Sequence, residues 1–206
     1  MPRQCNRCVH KTKSGRLCKR RTCKTSNLPY CWQHLPAAAK GKSLQTRLNH
    51  SLEDGSKAGR SEVYDHMIRV YGGSPQEVEI ISYQLNEVFK RRSKWVMKIW
   101  RDPKTKVVVA HVIAYPANPV SRLARAEFDG KQRALRPHVS ARTLYIDSVG
   151  TEAAYRRRGM ASVLLRSFGR PLLLHAEDAG AIRAYRRIGF KRIDELSSPA
   201  RTCMKM

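Results

Sequence analysis

Residues 155–165, YRRRGMASVLL, place three consecutive arginines and a glycine directly before an apolar run. The preceding segment, residues 142–151, has the composition of a strand, and residues 160–169 have the apolar spacing of a helix. A turn between a strand and a helix exposes the unpaired N–H groups of the first helical turn. Gly159 lets the backbone approach a ligand, and arginines supply counter-charge and bidentate hydrogen bonds. The stretch therefore predicts an anion-binding loop.

The segments after this loop alternate between strand and helix patterns. PLLLHAE, residues 171–177, has the apolar run of a short buried strand. DAGAIRAYRRIGF, residues 178–190, predicts a helix closed by Gly189, and KRIDEL, residues 191–196, predicts another strand. The helix predicted over 160–169 is expected to end at Gly169. The C-terminal part of the chain is therefore expected to contain, in order, a strand, a loop, a helix, a strand, a helix and a strand.

A helix pair and a hairpin precede these elements. SEVYDHMIRVYGG, residues 61–73, has the spacing of a short helix ended by two glycines. In the next helix, Ser74 is the expected cap, Pro75 the first helical residue and Glu77 the partner in a capping box. Residues 94–116 contain two β-rich runs around the turn sequence DPKTK. They predict an antiparallel hairpin whose second, almost wholly apolar strand is covered on both faces.

The order of these elements and two sequence signatures resemble the GNAT acyltransferase superfamily. The first signature, (Q/R)-x-x-G-x-(G/A), is the acetyl-CoA pyrophosphate loop of that family. It is matched here by Arg156, Arg157, Arg158, Gly159, Met160 and Ala161. The second signature, N-x-x-A-x3-Y-x3-G-F, is matched by residues 178–190, with Asp178 in place of the usual asparagine. The resemblance implies an α+β fold in which helices flank a mixed, mostly antiparallel central sheet.

Carried over by position, the resemblance implies a role for each part of this region in using acetyl-CoA. Three residues would offer main-chain groups to the pantetheine arm: Val149, Gly150 and Thr151. The backbone N–H groups of residues 156–161 would hold the pyrophosphate. Asp178 would lie where the family's asparagine contacts the cofactor, although an ionised aspartate can only accept hydrogen bonds there. Tyr185 matches the tyrosine that often protonates the departing CoA thiolate.

The amine that attacks the thioester must be neutral, and a carboxylate, directly or through water, normally takes its proton. The resemblance does not identify this residue. Asp147, on the strand that leads into the loop, is the first choice, while Glu152 and Glu177 remain alternatives. His175, on the short strand, is more typical of a structural histidine. A backbone N–H within residues 147–150 is expected to stabilise the oxyanion.

The N-terminal part of the chain has an uneven charge distribution. Residues 1–52 contain 12 lysines and arginines and no acidic residue, in a chain with 41 basic and 16 acidic residues. Such a segment attracts polyphosphates and nucleic acids, although a solvated basic tail is the alternative. Five of the six cysteines lie between residues 5 and 31. In an intracellular chain, clustered cysteines favour a metal site over disulfides.

The cysteine-rich segment resembles a small module of viral and microbial proteins with the pattern C…TKxGxxCKR…YCWxH. The resemblance implies four zinc ligands: Cys8, Cys18, Cys31 and His34. Cys5 and Cys23 are spare or substitute ligands, and reduced thiols without metal are the alternative. The Cys-x2-His spacing at the end lets one turn aim sulfur and nitrogen at one Zn²⁺, whose binding energy can fold a segment too small for a core.

Three parts are therefore expected: a basic zinc-binding module over residues 1–35, a linker over 36–60 and a GNAT-like domain over 61–206. The expected function is acetyl-CoA-dependent acetyl transfer to an amine acceptor by direct attack in a ternary complex. The module would target the enzyme, with nucleic acid or chromatin as its partner. The alternative is a nucleic-acid-binding protein whose GNAT-like domain is non-catalytic or senses the cofactor.

The acceptor, which could be a protein lysine, an N-terminus or a small amine, is not predicted, and neither is the oligomeric state. Residues 116–141 are polar and rich in arginine and proline, so we expect an irregular insertion that shapes the acceptor side. No apolar run approaches the length of about 18 residues that crosses a membrane. The N-terminus lacks the apolar core of a signal peptide, so we expect an intracellular protein, of viral or microbial origin from the module's resemblance.

Overall fold

The computed structural model describes residues 52–118, 127, 128 and 130–206. Seven strands lie in this part of the chain: β1 (Leu52–Asp54), β2 (Val96–Arg101), β3 (Val108–Pro116), β4 (Leu144–Thr151), β5 (Leu172–Ala176), β6 (Lys191–Arg192) and β7 (Thr202–Lys205). The helices with described bounds are α1 (Arg60–Tyr71), α2 (Pro75–Phe89), α3 (Gln132–Leu135), α4 (Met160–Arg166) and α5 (Ala179–Ile188). These elements form an α+β fold.

All seven strands belong to one sheet in the order β1-β2-β3-β4-β5-β7-β6. Pairing is antiparallel throughout except between β4 and β5, which run parallel. The hairpin of β2 and β3 is the one that the sequence predicts. β3 is buried along almost its whole length because helices α1 and α4 pack against it, which explains its nearly continuous apolar sequence.

Helices α1 and α2 form where the sequence predicts them. The Ser74 hydroxyl accepts a hydrogen bond from the Glu77 N–H, and the Glu77 carboxylate accepts one from the Ser74 N–H, so the capping box is present. α1 ends at Gly72, whose φ of 106° favours glycine. The apolar faces of both helices are buried in the main core: Val63, Met67, Ile81, Leu85 and Val88.

Three boundaries differ from the sequence prediction. Residues 52–60, expected as the end of a linker, form β1, a 3-10 turn and the first residue of α1, because β1 pairs with β2 at the edge of the sheet. α4 stops at Arg166 rather than at Gly169, and a turn follows it. The segment KRIDEL is a strand only over Lys191–Arg192, and a turn replaces the rest.

Strand β7 was not predicted from the sequence. It lies between β5 and β6, and its Cys203 and Met204 are fully buried. The described part of the insertion is also more ordered than predicted, because it contains α3 and a 3-10 turn over Arg136–His138, and Leu135 is buried in the core.

The parallel strands β4 and β5 pair over only three residues each. Leu144–Ile146 pair with Leu172–Leu174. Beyond this register β4 continues to Thr151 and β5 to Ala176, with no further pairing between the two strands. The strands therefore diverge at their C-terminal ends and leave an opening in the middle of the sheet.

A bulge in β4 lies at the point of divergence. Ile113 of β3 pairs with Ser148, whereas the next residue, Ala114, pairs with Ile146. Asp147 is therefore the extra residue of β4. Bulges kink a strand and re-aim its side chains, and they are common beside active sites.

Candidate active site

A cavity of about 440 Å³ lies where β4 and β5 diverge. Residues of β4, β5, α2 and α5 line it, together with the C-terminal end of α1. It brings together most of the side chains that the sequence suggested for proton transfer, Asp147, His175, Glu177 and Tyr185, and also Asp178, which it suggested for cofactor binding. A concave site with a few converging polar groups is typical of small-molecule binding.

Asp147 is held at the bulge by a hydrogen bond from α2. Gln84 Nε2 donates to Asp147 Oδ2 over 2.6 Å. Burial raises the pKa of Asp147 to about 6, although the hydrogen bond from Gln84 opposes the shift. A carboxyl group with a pKa near the working pH is suited to accept a proton and return it.

Tyr185 reaches the same cavity from α5. Its ring packs against Phe190, with the ring centroids 5.5 Å apart. Burial raises the pKa of Tyr185 to about 12, and the nearby charge of Asp178 adds to the shift. The phenol therefore keeps its proton near neutral pH and can donate it to a leaving group in the cavity.

The arginine–glycine turn, residues 155–161, leads from the end of β4 into α4. Gly159 is the N-cap of α4, with a φ of 83° that favours glycine, and its helix has no side-chain cap among the described residues. A Cβ on Gly159 would meet no atom within 4 Å, so the turn faces open space. The N–H groups of the first turn of α4 are therefore accessible to an anion.

The three arginines of this turn have different roles. Arg156 Nε donates to the Thr151 carbonyl over 3.1 Å, and Arg158 Nη2 donates to the Ala154 carbonyl over 2.9 Å. These two side chains therefore stabilise the turn by donating hydrogen bonds to backbone carbonyls just before it. All three side chains are exposed, but Arg157, with a φ of 60°, is the one that does not donate to the backbone of this turn, so it is the arginine best placed to meet a ligand from solution.

The other candidates in the cavity have structural partners. Asp178 Oδ1 accepts a hydrogen bond of 2.8 Å from the Ala181 N–H and so caps α5. His175 Nδ1 lies 3.0 Å from the Tyr145 hydroxyl, and burial lowers the pKa of His175. A neutral, hydrogen-bonded His175 fits the structural role that the sequence favours. Glu177 is largely exposed at the rim.

The cavity is acidic, in contrast to the chain as a whole. Four carboxylates belong to its lining: Glu77, Asp147, Glu177 and Asp178. No lysine or arginine is among the described residues that line it, although the chain carries 41 of these residues and only 16 acidic ones. The cavity therefore favours a cationic ligand.

A chain of polar side chains that the sequence did not predict leads away from the cavity. The Tyr71 hydroxyl lies 2.8 Å from Ser148 Oγ, which lies 2.9 Å from His111 Nε2. His111 Nδ1 lies 2.9 Å from His66 Nε2, and His66 Nδ1 lies 3.2 Å from Glu152 Oε1. The signal that could have indicated it is a histidine at a core position of β3 and another on the buried face of α1.

Glu152, one of the alternatives for the proton acceptor, does not line the cavity. It accepts a hydrogen bond of 2.8 Å from Arg69 Nε and lies at the outer end of the polar chain. Among the predicted carboxylates, Asp147 is the one that combines burial in the cavity with a raised pKa.

Gly150 makes room for the His111 ring. An added Cβ would overlap this ring and would lie 2.9 Å from a methyl group of Val70. We expect Gly150→Ala to lower the free energy of unfolding by about 1–3 kcal/mol in a denaturant titration, because overpacking forces the core to shift. Gly73→Ala is the control, since its Cβ would meet nothing nearer than 3.9 Å. Equal stability of the two variants would contradict this packing.

The proposed zinc ligands Cys8, Cys18, Cys31 and His34 lie outside the described residues, as do Cys5 and Cys23. Within residues 52–118, 127, 128 and 130–206, no group of three or more His, Cys, Asp or Glu side chains is arranged to hold a metal ion. No helix in the same ranges is both long enough and apolar enough to cross a membrane.

Comparison with solved structures finds several acetyltransferases of similar fold. Mosquito arylalkylamine N-acetyltransferase like 5b has a TM-score of 0.56 at 10% identity, over 75% of this chain and 98% of that chain. A Desulfovibrio desulfuricans protein assigned to the GNAT family of acetyltransferases has a TM-score of 0.54 at 10% identity, over 76% of this chain and 97% of that chain. Arabidopsis thaliana NAA60 in complex with acetyl-CoA has a TM-score of 0.52 at 15% identity, over 75% of this chain and 96% of that chain. Neither a protein-family model nor a curated protein matches the sequence.

Proposed function

We propose that this chain, which has the α+β fold of the GNAT acetyltransferases, transfers an acetyl group from acetyl-CoA to an amine. The observation that carries the proposal is the cavity at the divergence of β4 and β5, which Asp147 and Tyr185 both line. The arginine–glycine turn follows β4 after a 3-10 turn over Ala153–Tyr155. A proton acceptor and a proton donor in one cavity, with an anion site at the end of the strand that lines it, are the parts that this reaction needs.

Acetyl-CoA enters this opening with its pyrophosphate at the start of α4. The N–H groups of that first turn bind the phosphate oxygens, and Arg157 supplies counter-charge. The edge of β4 over residues 147–151, which β5 leaves unpaired, offers its main-chain groups to the pantetheine arm. The acetyl-CoA complex of the similar Arabidopsis structure supports this choice of cofactor.

The proton balance of the reaction gives Asp147 and Tyr185 different roles. As the acceptor nitrogen attacks the thioester carbon, a C–N bond forms and Asp147 takes a proton from the nitrogen. A backbone N–H near the bulge stabilises the oxyanion. As the C–S bond breaks, Tyr185 donates its phenolic proton to the departing thiolate, and the proton held by Asp147 then restores the phenol.

The acceptor arrives as a cationic amine and releases one proton to water before its neutral nitrogen attacks. Its positive charge matches the four carboxylates of the cavity lining and the absence of lysine and arginine from the described lining residues. Lysine side chains, peptide N-termini and polyamines share this charge. The similar mosquito protein, which is named for arylalkylamines, supports an amine as the acceptor class.

The proposal is tested by following the release of CoA thiol from acetyl-CoA in the presence of three cationic probes. These are spermidine, a lysine peptide with a blocked N-terminus and a lysine-free peptide with a free N-terminus. We expect thiol release that requires one of these amines, and an acetylated amine by mass spectrometry. Tyr185→Phe should slow it about tenfold or more because the thiolate loses its proton donor.

Tyr83→Phe is the matched control, because it removes a phenol from α2 outside the cavity lining and should leave the rate unchanged. Thiol release at the same rate without any amine would indicate hydrolysis and contradict the proposal. Acetyl-CoA binding without turnover of any amine would favour the cofactor-sensing alternative.

For residues 1–35 we propose a zinc-stabilised module with Cys8, Cys18, Cys31 and His34 as ligands. The support is the spacing of these residues in the sequence. Metal analysis of the purified protein should find one zinc ion per chain, and a variant with both Cys31→Ala and His34→Ala should lose it. A protein that folds and binds its targets without zinc would contradict this proposal.

We propose that the same module brings the enzyme to nucleic acid or chromatin, because residues 1–52 carry 12 basic residues and no acidic one. Deletion of residues 1–35 should lower retention on a DNA column and make it less dependent on salt. Acetylation of spermidine should be unaffected. Equal retention before and after the deletion would contradict this division of roles.

A further inference from the structure

A strongly basic segment, residues 90–94 (KRRSK), connects α2 to β2 and is here called the basic loop. Its four basic side chains are all exposed: Lys90, Arg91, Arg92 and Lys94. Together with Trp95 they line a groove of about 360 Å³ at the C-terminal end of α2. The acetyl transfer proposed above uses none of these residues.

The positive charges of the basic loop have almost no counter-charge within the chain. Lys90 lies 3.6 Å from Glu87, the one carboxylate of the groove lining. The other three basic side chains form no ion pair with any residue in the described ranges. Outside those ranges the chain has a single acidic residue, Asp129. Because like charges this close repel one another, the loop favours an anion from outside the chain.

The main chain of the basic loop is held in one conformation by Ser93. The Ser93 hydroxyl donates to the Glu87 carbonyl in the last turn of α2. Its oxygen accepts a hydrogen bond of 3.0 Å from the Trp95 N–H. The Ser93 N–H donates to the Lys90 carbonyl, also over 3.0 Å. The loop is therefore arranged before a ligand arrives, which lowers the entropy lost on binding.

A half-exposed aromatic ring lies beside the groove. Tyr83 is 49% exposed, and its ring meets that of Trp95 edge-on, with the centroids 6.1 Å apart. Tyr83, Glu87 and Lys90 are spaced to share one face of α2. The tyrosine thus lies about 10 Å from Lys90 along the helix axis. Cations that follow a strand's phosphates, next to a ring on which a base stacks, are typical of sites for single-stranded nucleic acids.

We propose that this groove binds a single-stranded nucleic acid, with its phosphates on the basic loop and one base stacked on Tyr83. The guanidinium groups of Arg91 and Arg92 suit phosphates, because each can donate two parallel hydrogen bonds. A duplex would offer phosphates but no base face to the tyrosine, and an acidic peptide would offer only charge. The site belongs to the catalytic domain and is separate from the contact proposed for residues 1–35.

The charge contribution is tested with the full chain and a fluorescein-labelled oligothymidylate of about 12 nucleotides. Fluorescence anisotropy gives the affinity at several salt concentrations. A variant with Arg91→Gln and Arg92→Gln should bind about tenfold more weakly. The slope of log K against log salt should fall by about 1.4, the value for two phosphate contacts on a single strand.

A variant with Lys104→Gln and Lys106→Gln is the matched control. It removes the same charge from exposed positions in the turn between β2 and β3, at the other end of β2. We expect its affinity to stay within about twofold of the parent and its salt slope to be unchanged. Equal losses in the two double variants would show that only the total charge matters, and would overturn the proposal.

The aromatic contribution is tested with Tyr83→Leu, which removes the ring, and Tyr83→Phe, which keeps it. Tyr83→Leu should bind the single strand about fivefold or more weakly, and Tyr83→Phe should stay within about twofold of the parent. A duplex of the same length should not distinguish Tyr83→Leu from the parent. Thermal denaturation shows whether each variant is folded.

Two further results would overturn the proposal. Binding of the single strand by Tyr83→Leu at the affinity of the parent would show that no base stacks on this ring. Displacement of the labelled strand by polyglutamate as readily as by unlabelled oligothymidylate would assign the groove to an acidic protein. None of these measurements uses acetyl-CoA, so they decide the proposal even if the protein acetylates no amine.

Discussion

Replacement of Asp147 by asparagine is expected to lower kcat by about 100-fold to 10,000-fold, the usual range for loss of a general base. The amide matches the carboxyl group in shape, and its oxygen can still accept the hydrogen bond from Gln84. It cannot take the proton that the nitrogen loses as the C–N bond forms. Steady-state kinetics with a saturating amine measure this loss.

The pH dependence follows from the raised pKa of Asp147, about 6. Only the ionised carboxylate accepts a proton, so kcat/KM of the parent should rise as the pH passes through about 6, and Asp147→Asn should lack this rise. Because this pKa is raised, the Asp147 carboxyl group binds its proton more tightly in the native state than in the unfolded state. The parent therefore loses stability as the pH rises from 3.8, the ordinary pKa of the group, to about 6, and the variant does not.

Above this range Asp147→Asn should consequently be at least as stable as the parent in thermal denaturation, despite its low activity. Glu177→Gln is the matched control, because it removes another carboxylate of the cavity from an exposed position at the rim. It should change KM for the amine more than kcat. An Asp147→Asn variant with the kcat and pH profile of the parent would show that another group takes the proton.

Replacement of Gly159 by aspartate is expected to weaken acetyl-CoA binding about 100-fold. The reason is repulsion between the new carboxylate and the pyrophosphate: two unit charges about 5 Å apart at an effective dielectric constant of about 20 repel by about 3 kcal/mol, which corresponds to about 100-fold in affinity. Gly159→Asn is the matched control. It has the same shape without the charge, and asparagine tolerates the left-handed φ of 83° at this position.

Calorimetric titration of acetyl-CoA into the parent and the two variants separates charge from backbone strain. We expect binding by Gly159→Asn to stay within about tenfold of the parent, with the larger loss confined to aspartate. If the two variants lose affinity equally, backbone geometry rather than the phosphate charge explains the effect. If neither variant changes the affinity, the turn is not the cofactor loop.

Local sequence signals account for the elements that were predicted correctly. Ser74, Pro75 and Glu77 determine the start of α2 through their own side chains and backbone. The glycine at position 189 ends α5 with a φ of 116°. β1 and β7 were missed because three- and four-residue strands are too short for a recognisable alternation. Their formation depends on pairing with β2 and β5, which lie far away in the sequence.

In the candidate site too, local sequence signals identify some residues, whereas the arrangement of the others depends on tertiary structure. Asp147 could be named from its place before the first signature and Tyr185 from its place within the second, but their shared cavity depends on the divergence of β4 from β5. The chain of polar side chains from Tyr71 to Glu152 could not be predicted, because His66 is 45 residues from His111 and 86 residues from Glu152. No pattern over such separations is visible in one sequence. A buried histidine on an apolar strand indicates only that a polar partner is needed.

The central claim is that this cavity moves an acetyl group from CoA sulfur to an amine nitrogen. Acetyl-CoA labelled with carbon-13 at the acetyl carbonyl tests it directly when it is mixed with the protein and spermidine and followed by NMR. We predict that the thioester signal is replaced by an amide signal, and that Asp147→Asn slows this conversion. A thioester signal that persists, or that gives only free acetate, would contradict the claim.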